Sequence, residues 1–359
     1  RNSSSFHSVV AGAAPLISLH GMGYAGGLPV CAYLLSRRPP QYVLLLALAT
    51  FMAGNLITLF SPNLIVYLIS RAIAGLGAGL YLPLAIASCG ELASPASKGR
   101  ALSFAWGSNA AGAVIGIPIG LWIEGLTNWR MSVVMILILS GVALLGLSFR
   151  GLELKVSPPP SLSEQASLLF DRGLMSVIGI TFLTATAGLG LYVYTSGVLE
   201  GSGTSTAAAL SLWNVGGLIG TMCIGYVVDY FEKPQWVMAA ILLILTVMYL
   251  SIPSLRSFPI LGLVPFLIWG AMGWSTMTAQ QYRLGQIKPG LDTQLVALNS
   301  SAVSLGAVTG AALGGLALAN GFHVKGLPYA SAGLIFCALL WQLGLIQQNR
   351  IREPSEALS

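Results

Sequence analysis

Apolar residues occur along this chain in eleven long runs, at roughly 9–35, 41–60, 63–88, 101–124, 128–149, 173–198, 206–229, 234–252, 257–281, 293–319 and 327–347. A helix needs about 20 apolar residues to cross the hydrocarbon of a bilayer, and each run is of that order. Strands of a lipid-facing barrel would alternate apolar and polar positions. These runs do not alternate, so the pattern predicts spanning α-helices, which satisfy their own backbone groups where no water is present. The gaps carry turn chemistry: Arg37-Arg38-Pro39-Pro40, Ser61-Pro62-Asn63, Ser94-Pro95, Lys233-Pro234 and Lys288-Pro289-Gly290. One gap, 151–172, is longer and holds Ser157-Pro158-Pro159-Pro160 with charges of both signs. It reads as a cytoplasmic linker between an N-terminal helical bundle, 1–150, and a C-terminal bundle with its tail, 173–359.

Composition strengthens this picture. Only 8% of residues are charged and 55% are hydrophobic, whereas soluble domains carry about 25% charged residues. The expectation is an all-α integral membrane protein. The formal charge of +6 is no nucleic-acid signature, because the basic residues sit in the short gaps. Of 17, twelve fall in alternate gaps and the C-terminal tail (Arg37, Arg38, Lys98, Arg100, Arg150, Lys155, Arg172, Lys233, Arg283, Lys288, Arg350, Arg352), and four on the other side (Arg1, Arg130, Arg256, Lys325). The positive-inside rule then places the C-terminus in the cytoplasm and Arg1 outside. Cys31, Cys89, Cys223 and Cys337 lie inside apolar runs without metal-ligand or redox spacing, and read as small packing residues.

The chain also repeats itself. Gly112, Gly116 and Gly120 in one run match Gly306, Gly310 and Gly314 in another, 194 residues on, and Ser36 stands 193 residues before Asp229 in the equivalent gap. Parallel repetition of two six-helix halves follows. The run starting near 173 then lacks a partner within the chain, so a first helix is expected upstream of residue 1.

Polar residues inside these runs are the candidate chemistry. Arg71 is a cation several residues into an apolar run, which is costly and usually functional. The alternative is snorkelling to the interface. His20, Tyr24, Asn55, Asn109, Tyr192, Trp213, Asn214, Trp274, Gln280, Gln281 and Asn299 are candidates for a central cavity. For each, helix–helix hydrogen bonding is the structural alternative, and the histidine at 20 is of the one residue type whose unperturbed charge change falls near neutral pH. Gly112, Gly116 and Gly120 permit close helix approach, and Pro118 removes one helix hydrogen bond. No metal cluster, nucleophile triad or phosphate-binding loop is visible, so neither an enzyme nor a nucleotide-driven pump is expected, and no cofactor.

Several stretches together resemble the major facilitator superfamily, and within it the arabinose-efflux-like branch of drug:proton antiporters. They are Arg71 through Gly75, Gly77 and Gly79; Gly107 through Gly120 with Trp122 and Asn128-Trp129-Arg130; Trp269-Gly270 through Gln280-Gln281-Tyr282-Arg283; and Ala297 through Ser301. The resemblance implies a major facilitator fold. It implies that Arg71 assists coupling, that the Gly112–Gly120 stripe with Pro118 forms a flexible seal against leak, and that the loops bearing Arg37, Arg38 and Asp229 latch the cytoplasmic side. Ser36 stands where that pattern has an acid, which weakens the N-terminal latch; Arg37 and Arg38 then have topology as their alternative role.

The implied function is proton-coupled efflux of a small organic compound, drug-like or sugar-like, by a monomer in a bacterial inner membrane. Symport, facilitated diffusion, or a transporter-like sensor or scaffold that moves nothing are the rivals. No Asp or Glu falls mid-run: Glu91, Glu124, Glu200 and Asp229 lie near run ends. The proton carrier is therefore sought in an acid on the upstream helix, in His20 or in Glu91. Reporter fusions after Lys155 and after Arg352 should both read cytoplasmic; opposite readings at the two sites would defeat the two-half topology.

Overall fold

The computed structural model describes residues 38–149 and 167–356. His20, Tyr24, Cys31, Arg37, the run at 9–35 and most of the 151–172 linker lie outside the described residues. Among those described there are helices and turns and no strand. Among the described residues, ten helical spans are long and apolar enough to cross a membrane.

In chain order the helices are α1 (Pro40–Leu59), α2 (Leu64–Leu92), α3 (Lys98–Ala111), α4 (Ile117–Leu126), α5 (Trp129–Phe149), α6 (Arg172–Val193), the short α7 (Thr195–Leu199), α8 (Thr206–Phe231), α9 (Pro234–Leu255), α10 (Val264–Ile287), α11 (Asp292–Ala319) and α12 (Leu327–Glu356). Pro40 and Pro234 open α1 and α9, where a missing N–H costs nothing. Asp171 and Ser205 cap α6 and α8 by accepting from Leu174 N and Ala208 N. Glu232 ends α8 in the left-handed region, at φ 51°.

Several boundaries differ from the apolar runs, among them a last helix that reaches Glu356 beyond the run ending at 347, and two of the differences bear on the site. The run at 101–124 is not one regular helix: a π turn over Gly112–Gly116 separates α3 from α4. Pro118 lies just beyond it and has no N–H to return to the preceding turn, so the ladder widens there. The run at 257–281 becomes a helix reaching Ile287, because Gln280, Gln281 and Arg283 find buried partners and need not leave the bundle. Arg283, counted above as a gap residue, is thus a helix residue only 7% exposed.

The chain divides into two compact units. One holds the described residues of Arg1–Leu92 and Ile115–Pro160; the other holds Ala93–Val114 and the described residues of Ser161–Ser359. Residues 93–114, placed by sequence with the N-terminal bundle, therefore pack with the C-terminal helices. Glycine explains it: a Cβ at Gly99 would lie 2.9 Å from the Gly225 carbonyl oxygen, so α3 and α8 meet backbone to backbone.

In the first unit α1 and α2 meet the same way, with Gly54 against the Ala74 backbone and Gly77 against that of Phe51. Val43, Leu44, Ala47, Leu80 and Leu84 form its core. In the second unit the Gly306, Gly310 and Gly314 face of α11 lies on α6, and the Tyr194 hydroxyl donates to the Ala311 carbonyl at 2.6 Å. Lipid is as apolar as leucine, so such close contacts, rather than hydrophobic burial, hold the helices together. The matching glycines behave differently: among the described residues, nothing lies within 4 Å of a Cβ built at Gly112 or Gly116.

That contrast is testable. A Cβ at Gly310 would lie 2.8 Å from the Gly190 Cα, so Gly310→Ala should cost about 1–3 kcal/mol by overpacking, read as a lower melting midpoint in detergent. Gly112→Ala should stay within about 0.5 kcal/mol of the parent; any defect it causes should appear as leak.

Candidate functional site

A cavity of about 270 Å³ lies within the second unit, against the middle turns of its helices. Trp106 and Asn109 come to it from α3, Thr181, Thr184 and Gly188 from α6, and Trp213 from α8. Tyr249 comes from α9, Trp269, Trp274 and Thr276 from α10, and Val303 from α11. The rings form one connected frame. Trp213 lies 4.7 Å from Tyr192, 5.9 Å from Trp269 and 5.8 Å from Trp274, and Tyr249 stands edge-on to Trp269 at 5.2 Å. Glycine seats this frame: a Cβ at Gly270 would lie 2.7 Å from the Trp213 carbonyl carbon. Gly188 leaves room at the wall, where a Cβ would lie 3.0 Å from the Tyr249 hydroxyl oxygen.

No charged side chain lines the cavity among the described residues. Glu91, Glu124, Asp171, Glu200, Asp229, Glu232 and Asp292 all fall within two residues of a helix terminus. Of the cavity candidates read from sequence, Asn109, Trp213 and Trp274 line it. Tyr192 packs behind Trp213. Asn214 donates to Leu210 O of its own helix at 2.9 Å. Gln280 donates to Val177 O and Thr181 Oγ1, both at 3.2 Å, and so braces the wall from behind. Gln281 donates to Asp292 O at 3.5 Å. Asn299 is fully buried on α11. Sequence reasoning missed Trp106, Tyr249, Trp269 and the three threonines, because aromatic and hydroxyl residues in an apolar run carry no mark of the face they occupy.

A second constellation gathers at helix ends of the same unit. Ser97, before α3, makes no side-chain cap. Asp229 near the end of α8 supplies it instead: Oδ1 accepts from Gly99 N at 2.7 Å, and Oδ2 from Arg100 N at 3.0 Å and Arg100 Nε at 3.2 Å. A carboxylate at a helix N-terminus also meets the positive end of the dipole. Beside it Lys98 pairs with Asp292 at 3.4 Å, and Lys288 with Asp171 at 2.8 Å. The Lys288 ammonium and the Leu174 amide hold the Asp171 carboxyl below its ordinary value. Its contribution is present at neutral pH and lost as pH falls below about 4, and being partly exposed it amounts to less than about 1 kcal/mol.

In the first unit Arg71 is half-buried on α2 and donates to Asn55 Oδ1 at 3.2 Å; Asn55 donates in turn to Phe51 O at 2.8 Å. The Thr58 and Ser70 hydroxyls meet at 2.6 Å one turn away. Arg38 is exposed and lies over the Tyr42 ring at 5.4 Å. Pro118 is exposed, and the Gly120 carbonyl accepts from Ser132 Oγ at 2.7 Å. In the second unit Arg283 donates to Gln342 Oε1 at 2.7 Å, so the buried cation meets a neutral oxygen, and Gln342 donates in turn to Gln235 O at 2.7 Å.

A family model described as Major Facilitator Superfamily matches residues 3–290. The chain belongs to the Major Facilitator Superfamily. Inner membrane transport protein YdhP of Escherichia coli (strain K12) is 26% identical over 338 residues, covering 92% of this chain and 86% of that protein. The MFS-type transporter YbcL of Bacillus subtilis (strain 168) is 25% identical over 354 residues, covering 97% and 89%. The solved Escherichia coli fucose:proton symporter FucP superposes with a TM-score of 0.75 at 17% identity, covering 94% of this chain and 92% of that one. This superfamily member is accordingly an integral membrane secondary transporter with the major facilitator fold, and not an enzyme.

Asp229 satisfies two backbone donors with a side chain 8% exposed. Asp229→Ala should lower stability by about 2 kcal/mol or more, since hydrogen bonds to a charged group contribute about 1.5–3 kcal/mol. The check is the melting midpoint of the purified protein; an unchanged value would reduce the contact to an incidental one.

Proposed function

We propose that the chain exports a small organic compound in exchange for protons, by alternating access, as a monomer in a bacterial inner membrane with its C-terminus in the cytoplasm. The observation that carries this reading is the separation, within one unit, of an uncharged mid-helix cavity from an ionic cluster at the helix ends. The cavity suits a substrate, and the cluster suits a latch that opens and closes one side. Asp229 and Lys98–Asp292 are its working parts, with Arg37 and Arg38 as their counterparts in the other half. The antiporter-like Gly112–Gly120 stretch with Pro118 favours export. Arg71, held by Asn55, is the coupling residue. The proton itself is carried by His20 or by Glu91.

Symport is the second reading, favoured by the likeness of the chain to FucP, a fucose:proton symporter. Inverted vesicles separate the two. Under antiport, uptake of a labelled compound dissipates an acid-inside gradient; under symport, uptake requires the opposite gradient. A panel that moves under neither gradient, nor down its own, would leave a sensor or scaffold.

Arg71→Ala should abolish gradient-driven flux while expression stays near normal. Arg71→Lys should restore part of it, keeping the charge without the planar fork. Full coupled flux in the alanine variant would return Arg71 to a packing role.

A further inference from the structure

A second cavity, of about 350 Å³, lies in the same unit at the helix ends remote from the ionic cluster. It runs along the last turns of α6 (186–194) and of α11 (310–317) and the first turns of α12 (327–334). At 1.5 Å per residue these stretches are about 10–12 Å long. One leaflet of hydrocarbon is about 15 Å deep, half of the roughly 30 Å core. The slot therefore begins at headgroup level and occupies most of one leaflet.

This slot faces away from the mid-helix cavity. Thr184 and Gly188 line that cavity, whereas Thr186 and Gly190 line the slot. Residues two apart on a helix point about 200° apart, so α6 stands between the two spaces. The hydroxyls of the slot are spent. Thr186 donates to Phe182 O at 2.8 Å, Tyr194 to Ala311 O at 2.6 Å and Ser331 to Ala187 O at 3.1 Å. No charged side chain lines it among the described residues. What the wall leaves accessible is apolar: Leu313 is 50% and Phe322 45% exposed, and Ala330 is exposed.

We propose that this slot holds one acyl chain of a bilayer phospholipid, in the leaflet remote from the ionic cluster. An apolar space does not take up water, and an empty one forfeits the dispersion contacts of its wall. The bilayer around the spanning helices supplies chains of matching length at the open side. A polar or charged compound would find no partner there. The slot is separate from the export cavity, so the proposal stands or falls independently of the export reading.

The test places the full chain in phosphatidylcholine nanodiscs that carry a small fraction of the same lipid with a diazirine midway along one chain. After illumination, labelled residues are read by peptide mass spectrometry. The reference is the α9 face of Leu243, Val247 and Leu250, which are 54%, 50% and 47% exposed and make ordinary boundary contact. Label within 313–317 and 330–334 should exceed label on that face about tenfold, which requires the extra burial of only about two methylenes. Ala330→Trp fills the slot from α12. It should bring the slot label down to the α9 level and leave α9 unchanged. Leu313→Trp, from the opposite wall, gives the same readout should the first variant not fold. Equal label on slot and α9 would make the contact ordinary boundary lipid and overturn the proposal. Slot label absent beside normal α9 label would mean that another segment of the chain or a second copy covers the slot, and would overturn it too. So would an enrichment that survives both tryptophans.

Discussion

A bilayer core offers helices neither water to satisfy a stray polar group nor any gain from hiding one apolar surface against another. The packing of this protein is shaped by that double constraint. Helices are drawn together where glycine lets backbone meet backbone, as at Gly99 and Gly225, Gly190 and Gly310, and Gly270 beneath Trp213. Polar side chains spend their donors nearby. Thr184, Thr221 and Thr246 return theirs to a carbonyl one turn back, and Arg283 finds Gln342, which finds the Gln235 carbonyl. Each contact is modest, but leaving such a group unpaired in hydrocarbon costs more than making the contact gains.

The ionic contacts follow the same logic at the helix ends. Asp229 provides the cap that the residues before α3 do not. Lys98 and Asp292, which it adjoins, stand 194 residues apart, the same interval that separates Gly112 from Gly306. The pair thus joins positions that are equivalent in the two halves of the repeat.

Against this background the buried groups without a partner are exceptions. Among the described residues, Trp106, Trp213 and Tyr249 keep a buried donor without a partner, and so on α11 do the Asn299 amide and the Thr293 and Ser300 hydroxyls. Buried groups left in that state cost stability, and they are retained where something other than folding makes use of them.

Much of the fold was legible in the residues alone. The long apolar runs between turn residues such as Ser61-Pro62-Asn63 and Lys233-Pro234 determine the helices, since segment length and turn chemistry are local properties. The glycines repeated 194 residues apart suggest two halves built on one plan, but Gly306 and Gly310 meet a neighbouring backbone where Gly112 and Gly116 meet nothing among the described residues. Arg71 was visible because a cation in hydrocarbon is conspicuous wherever it points. Only the tertiary structure decided that residues 93–114 pack with the C-terminal helices, that Gln280 braces a wall instead of lining it, and that Trp106, Trp213 and Tyr249 face one space. The reason is physical. An apolar run is hydrophobic all round, so its sequence carries no face, and direction arises only when helices settle against particular neighbours.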